Sequence, residues 1–291
     1  MRRVAGLLAA VLAAGGAGAQ EIRIGMRADA KPFVYEAAPG RFEGFLADIC
    51  RAAVAGAGYP GFSEQRIDAS TRLGDPAAGA IGVDVVCDPT TLTLERAGRF
   101  DFSPIVFIAN ATFVSREARR FLAAGEGAGS EACAAALARG GQVAAAGMVA
   151  GTTAIAAFEL ALERGFLGDR REFAVCPVTV GSHVEGIERL CGGDLSYYFG
   201  DEDILRAFLQ DRPDCRAAFH TSFLTYEPYA LALTSGDPVF RRRFTQAVYG
   251  LFTSGFVGTA YDEHFGGRRR TDALDMLFAI NSVPRGAASA D

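Results

Sequence analysis

"GVDVVCDPTTLTLERAGRFDFSPIVF", Gly82 to Phe107, sets an apolar run on either side of a polar turn. The first run reads as a buried strand ending at Cys87. The second opens at Ser103-Pro104 and continues as an unusually long apolar strand through "IANATFVS". Between them Thr90, Thr91 and Thr93 stand just ahead of Glu95-Arg96. A guanidinium presents a planar fork that matches a carboxylate, and hydroxyls or backbone N–H groups can complete the oxyanion's hydrogen bonds. A structural reading competes: Thr93 caps a short helix with Glu95 in its first turn, and Arg96 makes a surface ion pair. This stretch alone leaves both open.

The same alternation of strand and helix extends both ways. "EIRIGM" alternates as a short strand, and Phe45, Ile49, Ala52 and Ala53 recur at helical spacing. "QVAAAGMVAGTTAIAAFELALERGFLG" reads as strand, Gly-Thr-Thr turn and amphipathic helix. "REFAVCPVTV" is a strand, and Val184, Ile187 and Cys191 form the apolar face of a short helix. "LSYYFG" runs as a strand into Asp201 and a further helix, and "EPYALALTSGDP" is a strand with a turn before two closing helices. This order predicts an α/β fold with largely parallel pairing. In such sheets ligands sit beyond the carboxyl ends of strands, and three polar groups fall there: Thr91 to Arg96, Gly151 to Thr153, and Asp201. Gly151-Thr152-Thr153 offers the N–H groups and positive dipole end of a helix to an anion; Thr152 as a plain N-cap explains it equally. No Gly-Lys-Ser/Thr follows, so it is not a P-loop. Asp201 supplies a carboxylate for an ammonium group, or another cap. A guanidinium with hydroxyls and a separate carboxylate together match a zwitterion.

Composition narrows the class. "MRRVAGLLAAVLAAGGAGA" has an n-region, an apolar core and a small-x-small end at Ala17 to Ala19, so residues 1–19 read as a secretory signal peptide. No later segment is apolar enough to span a membrane. The formal net charge of −5 argues against a nucleic-acid partner, and the 50% hydrophobic content is enough for a sizeable core. Six cysteines in an exported chain point to disulfides. With no CxxC pair and three histidines, a zinc site has little support, and no metal or cofactor is expected.

Taken in order, "IRIGMRADAKPFVYEAAPGRFEGFLADIC", "GVDVVCDPTTLTLERAGRFDFSPIVF", "VAGTTAIAAFE", "GDLSYYFGDEDIL" and "EPYALAL…GDPVFRRRF" resemble the periplasmic solute-binding proteins of polar amino-acid ABC transporters, family 3 of the type II periplasmic binding proteins. The glutamate/aspartate-binding branch is the nearest. The resemblance implies two Rossmann-like α/β lobes with central mixed sheets, joined by two hinge strands. Lobe 1 would comprise 20–109 and 224–275, lobe 2 would comprise 110–223, and 276–291 would be a flexible tail. It implies that Arg96 clamps an α-carboxylate with Thr91 and Thr93, that Thr152 and Thr153 close from lobe 2, and that Asp201 holds the α-ammonium. Phe33 and Tyr35 would form an apolar wall. Arg27, Arg72 and His183 would receive a side-chain carboxylate, although the same residue types also suit other ligands. Pro89 departs from the family, standing where a small residue usually offers an N–H.

Cys50–Cys87 recurs in some relatives and is the bridge the resemblance implies; Cys191 and Cys215 flank one strand–helix unit and are a candidate pair, which would leave Cys133 with Cys176. The implied function is a monomeric, non-catalytic periplasmic receptor in a Gram-negative cell. It would capture an acidic or polar amino acid, glutamate or aspartate favoured, and present it to an inner-membrane ABC permease. The alternatives are a periplasmic prephenate/arogenate dehydratase-like enzyme, with Glu185 or His183 as general acid, and a drifted ligand sensor.

Overall fold

A computed structural model describes residues 21–74, 82–116, 121–122, 131–168, 173–221 and 223–284. The expected signal peptide and the last seven residues lie outside them. Lobe 1 begins with β1 (Ile22–Arg27), a small sheet of β2 (Asp29–Ala30), β3 (Val34–Ala38) and β4 (Arg41–Glu43), and helix α1 (Phe45–Gly56). Strands β5 (Phe62–Ile67) and β6 (Val85–Cys87) follow, then the short α2 (Leu94–Ala97) and β7 (Asp101–Phe102). The long β8 (Phe107–Arg116) crosses to lobe 2. There α3 (Glu131–Ala138), β9 (Val143–Val149), α4 (Ala154–Glu163), β10 (Ala174–Val180) and α5 (His183–Gly192) precede β11 (Tyr197–Asp201), α6 (Glu202–Gln210) and β12 (Ala217–Phe219). The chain returns through β13 (Thr225–Tyr229) to β14 (Ala232–Leu233), α7 (Pro238–Thr253), α8 (Phe256–His264) and α9 (Asp272–Asn281).

Both central sheets are mixed. The first runs β5-β1-β6-β14-β7, with β1 parallel to β5 and β6 and with β14 antiparallel to β6 and β7. The second runs β10-β9-β11-β8-β12, parallel among β10, β9 and β11 and antiparallel at β8. The largely parallel pairing expected from element order therefore holds on one side of each sheet only. The strands that run against the rest are β8, which carries the chain out of lobe 1, and β14, which follows the returning β13. Along β8, Phe107 to Ala111 pairs with Tyr229 to Thr225 of β13, and the remainder joins the second sheet. The two strands form an antiparallel hinge ladder.

Each sheet buries its own core. Every residue of β9 is buried, as expected for a central strand covered on both faces. In lobe 1 an aromatic cluster gathers around Phe107, whose ring lies 4.8 Å edge-on from Phe33 and 5.3 Å stacked from Phe265. The expected Cys50–Cys87 bridge is present and ties α1 to β6, and both candidate pairings form as well: Cys133–Cys176 ties α3 to β10, and Cys191–Cys215 joins the end of α5 to the segment before β12. The C-terminal expectation is corrected. The chain is helical to Asn281, with Leu277 in the core and the Asn281 side-chain amide donating to Ile105 O at 2.7 Å. Among the described residues no helix is long and apolar enough to cross a membrane.

Candidate ligand-binding site

The carboxyl ends of β1, β6, β9 and β11 converge between the lobes. Arg27, Arg72, Thr91, Thr152, Thr153, His183 and Asp201 line one small cavity there, with Pro89 and Ala111 completing part of its wall. It offers about 20 Å³ of free space, room for a water molecule and far too little for an amino acid, so the lobes are drawn together. Gly151 makes that approach possible. Its φ is +73°, and a Cβ would sit 3.0 Å from the Ala69 carbonyl oxygen of the other lobe.

The two arginines are not free charges. Arg27 Nε donates to Asp29 Oδ1 at 2.7 Å, Arg27 Nη1 to Asp88 Oδ1 at 3.2 Å, and Arg72 Nε lies 2.5 Å from Asp88 Oδ2. All four groups are buried or nearly so. Burial pulls the Arg27 guanidinium down, but Asp88 and Asp29 outweigh it and raise it overall. Burial pushes Asp88 up, yet Arg72 and Arg27 hold it below the usual carboxylate range. Two cations against two anions leave the cluster formally neutral. One donor remains: Arg27 Nη2 is buried with no hydrogen-bond partner among the described residues. His183 adds no charge, because burial first, and then the Arg27 cation, push its imidazole down to about 3. Its Nδ1 lies 3.0 Å from the Tyr198 hydroxyl, and its backbone N–H donates 2.7 Å across the cleft to Asp29 Oδ2.

A second group forms around Glu227 on β13, which is 2% exposed. Glu227 Oε2 accepts from the Thr91 hydroxyl at 2.5 Å and the Thr153 hydroxyl at 2.8 Å, and Oε1 accepts from Thr225 at 2.5 Å. Burial, and after it the charge on Glu227, raise Asp201 to about 7. The buried hydroxyl of the neighbouring Tyr229 influences Asp201 without a hydrogen bond of normal geometry.

Arg96 stands beside the cavity rather than in its wall. It bridges the lobes by donating to Thr91 O at 2.8 Å and to Gly151 O at 3.3 Å. Thr93 is an N-cap: its hydroxyl accepts from Arg96 N at 3.2 Å. Thr152 donates to Val149 O at 2.8 Å. Phe33 is fully buried in the lobe 1 aromatic core, and the Tyr35 hydroxyl donates to Glu43 at 3.3 Å; neither lines the cavity, so the expected apolar wall is not formed by them. Pro89 follows the buried Asp88 and contributes apolar surface to the cavity. Glu185 belongs to a capping arrangement, accepting from Gly181 N at 2.9 Å while its own N–H donates to Ser182 Oγ.

Three carboxylates escaped the sequence reading: Asp29, Asp88 and Glu227. Asp88 follows a strand just as Asp201 does, and that position could have flagged it. A larger hollow of about 800 Å³ lies between α6 and the segment joining α8 to α9. It is open and its lining mixes charges of both signs, whereas the converging strand ends meet at the small cavity.

The model of the bacterial extracellular solute-binding proteins, family 3, matches residues 22–267. The chain belongs to that family. Solved structures agree with this family-3 chain in fold. An ancestral arginine-binding protein bound to glutamine is 20% identical with a TM-score of 0.64, over 84% of this chain and 98% of that one. The arginine-, lysine-, histidine-binding protein of Geobacillus stearothermophilus is 19% identical with a TM-score of 0.63, over 89% and 99%. An ancestral amino acid-binding protein, a precursor of cyclohexadienyl dehydratase, is 18% identical with a TM-score of 0.63, over 84% and 95%. A comparison with curated proteins finds no match.

Proposed function

We propose that this family-3 chain is an exported receptor. It captures a polar α-amino acid between its lobes by hinge closure and hands it to an ABC-type permease in the inner membrane. The observation that carries the reading is the pairing of opposites in one cavity wall: a buried Arg27 donor without a partner, and the Asp201 carboxylate raised to about 7. An oxygen acceptor on the ligand satisfies the first, and an ammonium group stabilises the ionised form of the second. Arg96, bonded to carbonyls of both lobes, is the candidate clamp for the α-carboxylate.

The sequence favours glutamate or aspartate as ligand. The neutral Arg27–Arg72–Asp29–Asp88 cluster asks for an acceptor rather than for a negative charge, so glutamine and asparagine satisfy it as well. A micromolar complex needs about 8 kcal/mol, which a charge-assisted carboxylate, a paired ammonium and exclusion of water together can supply.

The test is a thermal-shift and calorimetric screen of the mature protein against the amino acids, small dicarboxylates and prephenate. One or more oxygen-bearing amino acids raise the melting temperature, and Arg96→Ala removes the shift. The reading is overturned if no amino acid binds while prephenate is dehydrated.

A further inference from the structure

Glu227 has a role that no sequence motif pointed to. It lies on the hinge strand β13, opposite Ala109 of β8, and its hydrogen-bond partners among the described residues are three threonine hydroxyls, from lobe 1, lobe 2 and the hinge itself. A hydroxyl has one proton to donate and two lone pairs. Thr91 and Thr153 direct that proton to the same carboxylate oxygen, Glu227 Oε2, which has none to return. Their own contact, 3.3 Å between the two Oγ1 atoms, is then left without a proton. The Thr152 proton is engaged as well, by Val149 O. No threonine hydroxyl in the cavity wall therefore keeps a proton for a ligand, and since the Thr152 oxygen already accepts from Ala154 N at 3.4 Å, Thr91 and Thr153 are the two with acceptor capacity to spare. The charged groups near Glu227 are Asp201 on β11 and Arg96 on α2.

We propose that Glu227 is a positioning residue: by accepting their protons it fixes Thr91 and Thr153 as hydrogen-bond acceptors, so the hinge side of the site selects an N–H-bearing group such as an ammonium and rejects an oxyanion. This rests on the amino-acid reading and reverses the role the sequence assigns to these hydroxyls, which is donation to a carboxylate. A carboxylate placed against two lone pairs and Asp201 would meet no donor there. An ammonium meets three acceptors.

Replacing Glu227 with glutamine keeps the shape and substitutes an NH₂ donor for one acceptor oxygen; set at the Oε2 position that donor frees the Thr91 and Thr153 protons toward the cavity, and the Thr153 variants below test the same acceptor whichever way the amide turns. The experiment measures dissociation constants by calorimetry for L-glutamine, L-glutamate and L-arginine, each against the 2-hydroxy acid of the same side chain. The wild-type protein prefers the amino acid by a factor of about 100 or more, because a site built around acceptors leaves them unpaired when the amine is missing. Glu227→Gln reduces that ratio at least about tenfold, chiefly through weaker binding of the amino acid. An unchanged ratio, including equal weakening of both ligands, overturns the proposal. Thr153→Val and Thr153→Ser provide a second route should Glu227→Gln not fold. Valine lowers the ratio and serine keeps it, and a ratio that valine does not move also overturns the proposal. If none of the amino acids binds the wild-type chain, the amino-acid reading falls and this inference with it. If one binds and the ratio stays fixed, only this inference falls.

Discussion

Asp201 keeps some exposed surface yet sits deep in the closed cleft, and burial there works against its charge. Its folded pKa of about 7 stands above the ordinary unfolded value of about 3.9. A raised carboxyl favours the fold at low pH, and that contribution is lost as pH rises through 7. Asp201→Asn is therefore expected to melt higher than wild type at pH 8 in the absence of ligand, with the gap closing toward pH 4, while losing amino-acid binding. Parallel melts at pH 8, 6 and 4 check it; a variant that melts lower at pH 8 would refute the burial argument. His183 acts in the opposite sense. Its folded value lies below the unfolded one, so its contribution is present above about pH 6.5 and is lost as pH falls toward 3, which makes the Asp201 variant rather than the wild-type profile the clean measurement. At this scale much of the cavity wall was legible, because strand-end position marks Thr91, Thr152, Thr153 and Asp201. What sequence could not give is pairing. Arg27 and Arg72 looked like free cations until Asp29 and Asp88 were brought beside them by the sheet, and Glu227 carries no signal beyond standing at the start of the strand read from "EPYALAL".

At the scale of elements, the question raised by Thr90 to Arg96 has a divided answer. Thr93 caps α2, while Thr91 and Arg96 face the junction of the lobes. Cap and site coexist because α2 is four residues long and leaves the residues on either side of Thr93 free for other work. Helix α5 shows the same economy: Ser182 and Glu185 secure its start, and Asp29 reaches its first N–H from the other lobe. Within α5, Gly186 lies against the Tyr198 ring on β11, where an added Cβ would collide with the ring. Helix propensity alone predicts that Gly186→Ala stabilises by up to about 1 kcal/mol. The collision predicts the reverse, a loss of about 1–3 kcal/mol from overpacking, visible as a lower urea midpoint. Since Tyr198 also contacts His183, ligand affinity is expected to fall in the same variant. A stabilised Gly186→Ala protein would show that α5 can move off the sheet.

For the whole molecule, element order and five motifs in register were enough to predict two lobes and a hinge. The mixed pairing within each sheet was not legible from element order, because it depends on which strands recross between lobes. The disulfides distribute stability unevenly over this plan: one bridge in lobe 1 spans 37 residues, and two in lobe 2 span 43 and 24. Closing loops of these lengths is worth roughly 3–4 kcal/mol each through the entropy of the unfolded chain, a sizeable share of the 5–15 kcal/mol typical of a domain. Lobe 2 carries two such closures to the single one of lobe 1, so it depends on them more. Replacing Cys133 and Cys176, or Cys191 and Cys215, by serine pairs is expected to lower the melting temperature by several degrees and to split unfolding into two calorimetric transitions, lobe 2 first. Serines at Cys50 and Cys87 should instead bring the lobe 1 transition down. Bound amino acid, which touches both lobes in the proposed complex, should merge the two transitions again. A single transition in every variant with and without ligand would mean that the hinge ladder of β8 and β13 couples the lobes more strongly than either core holds itself.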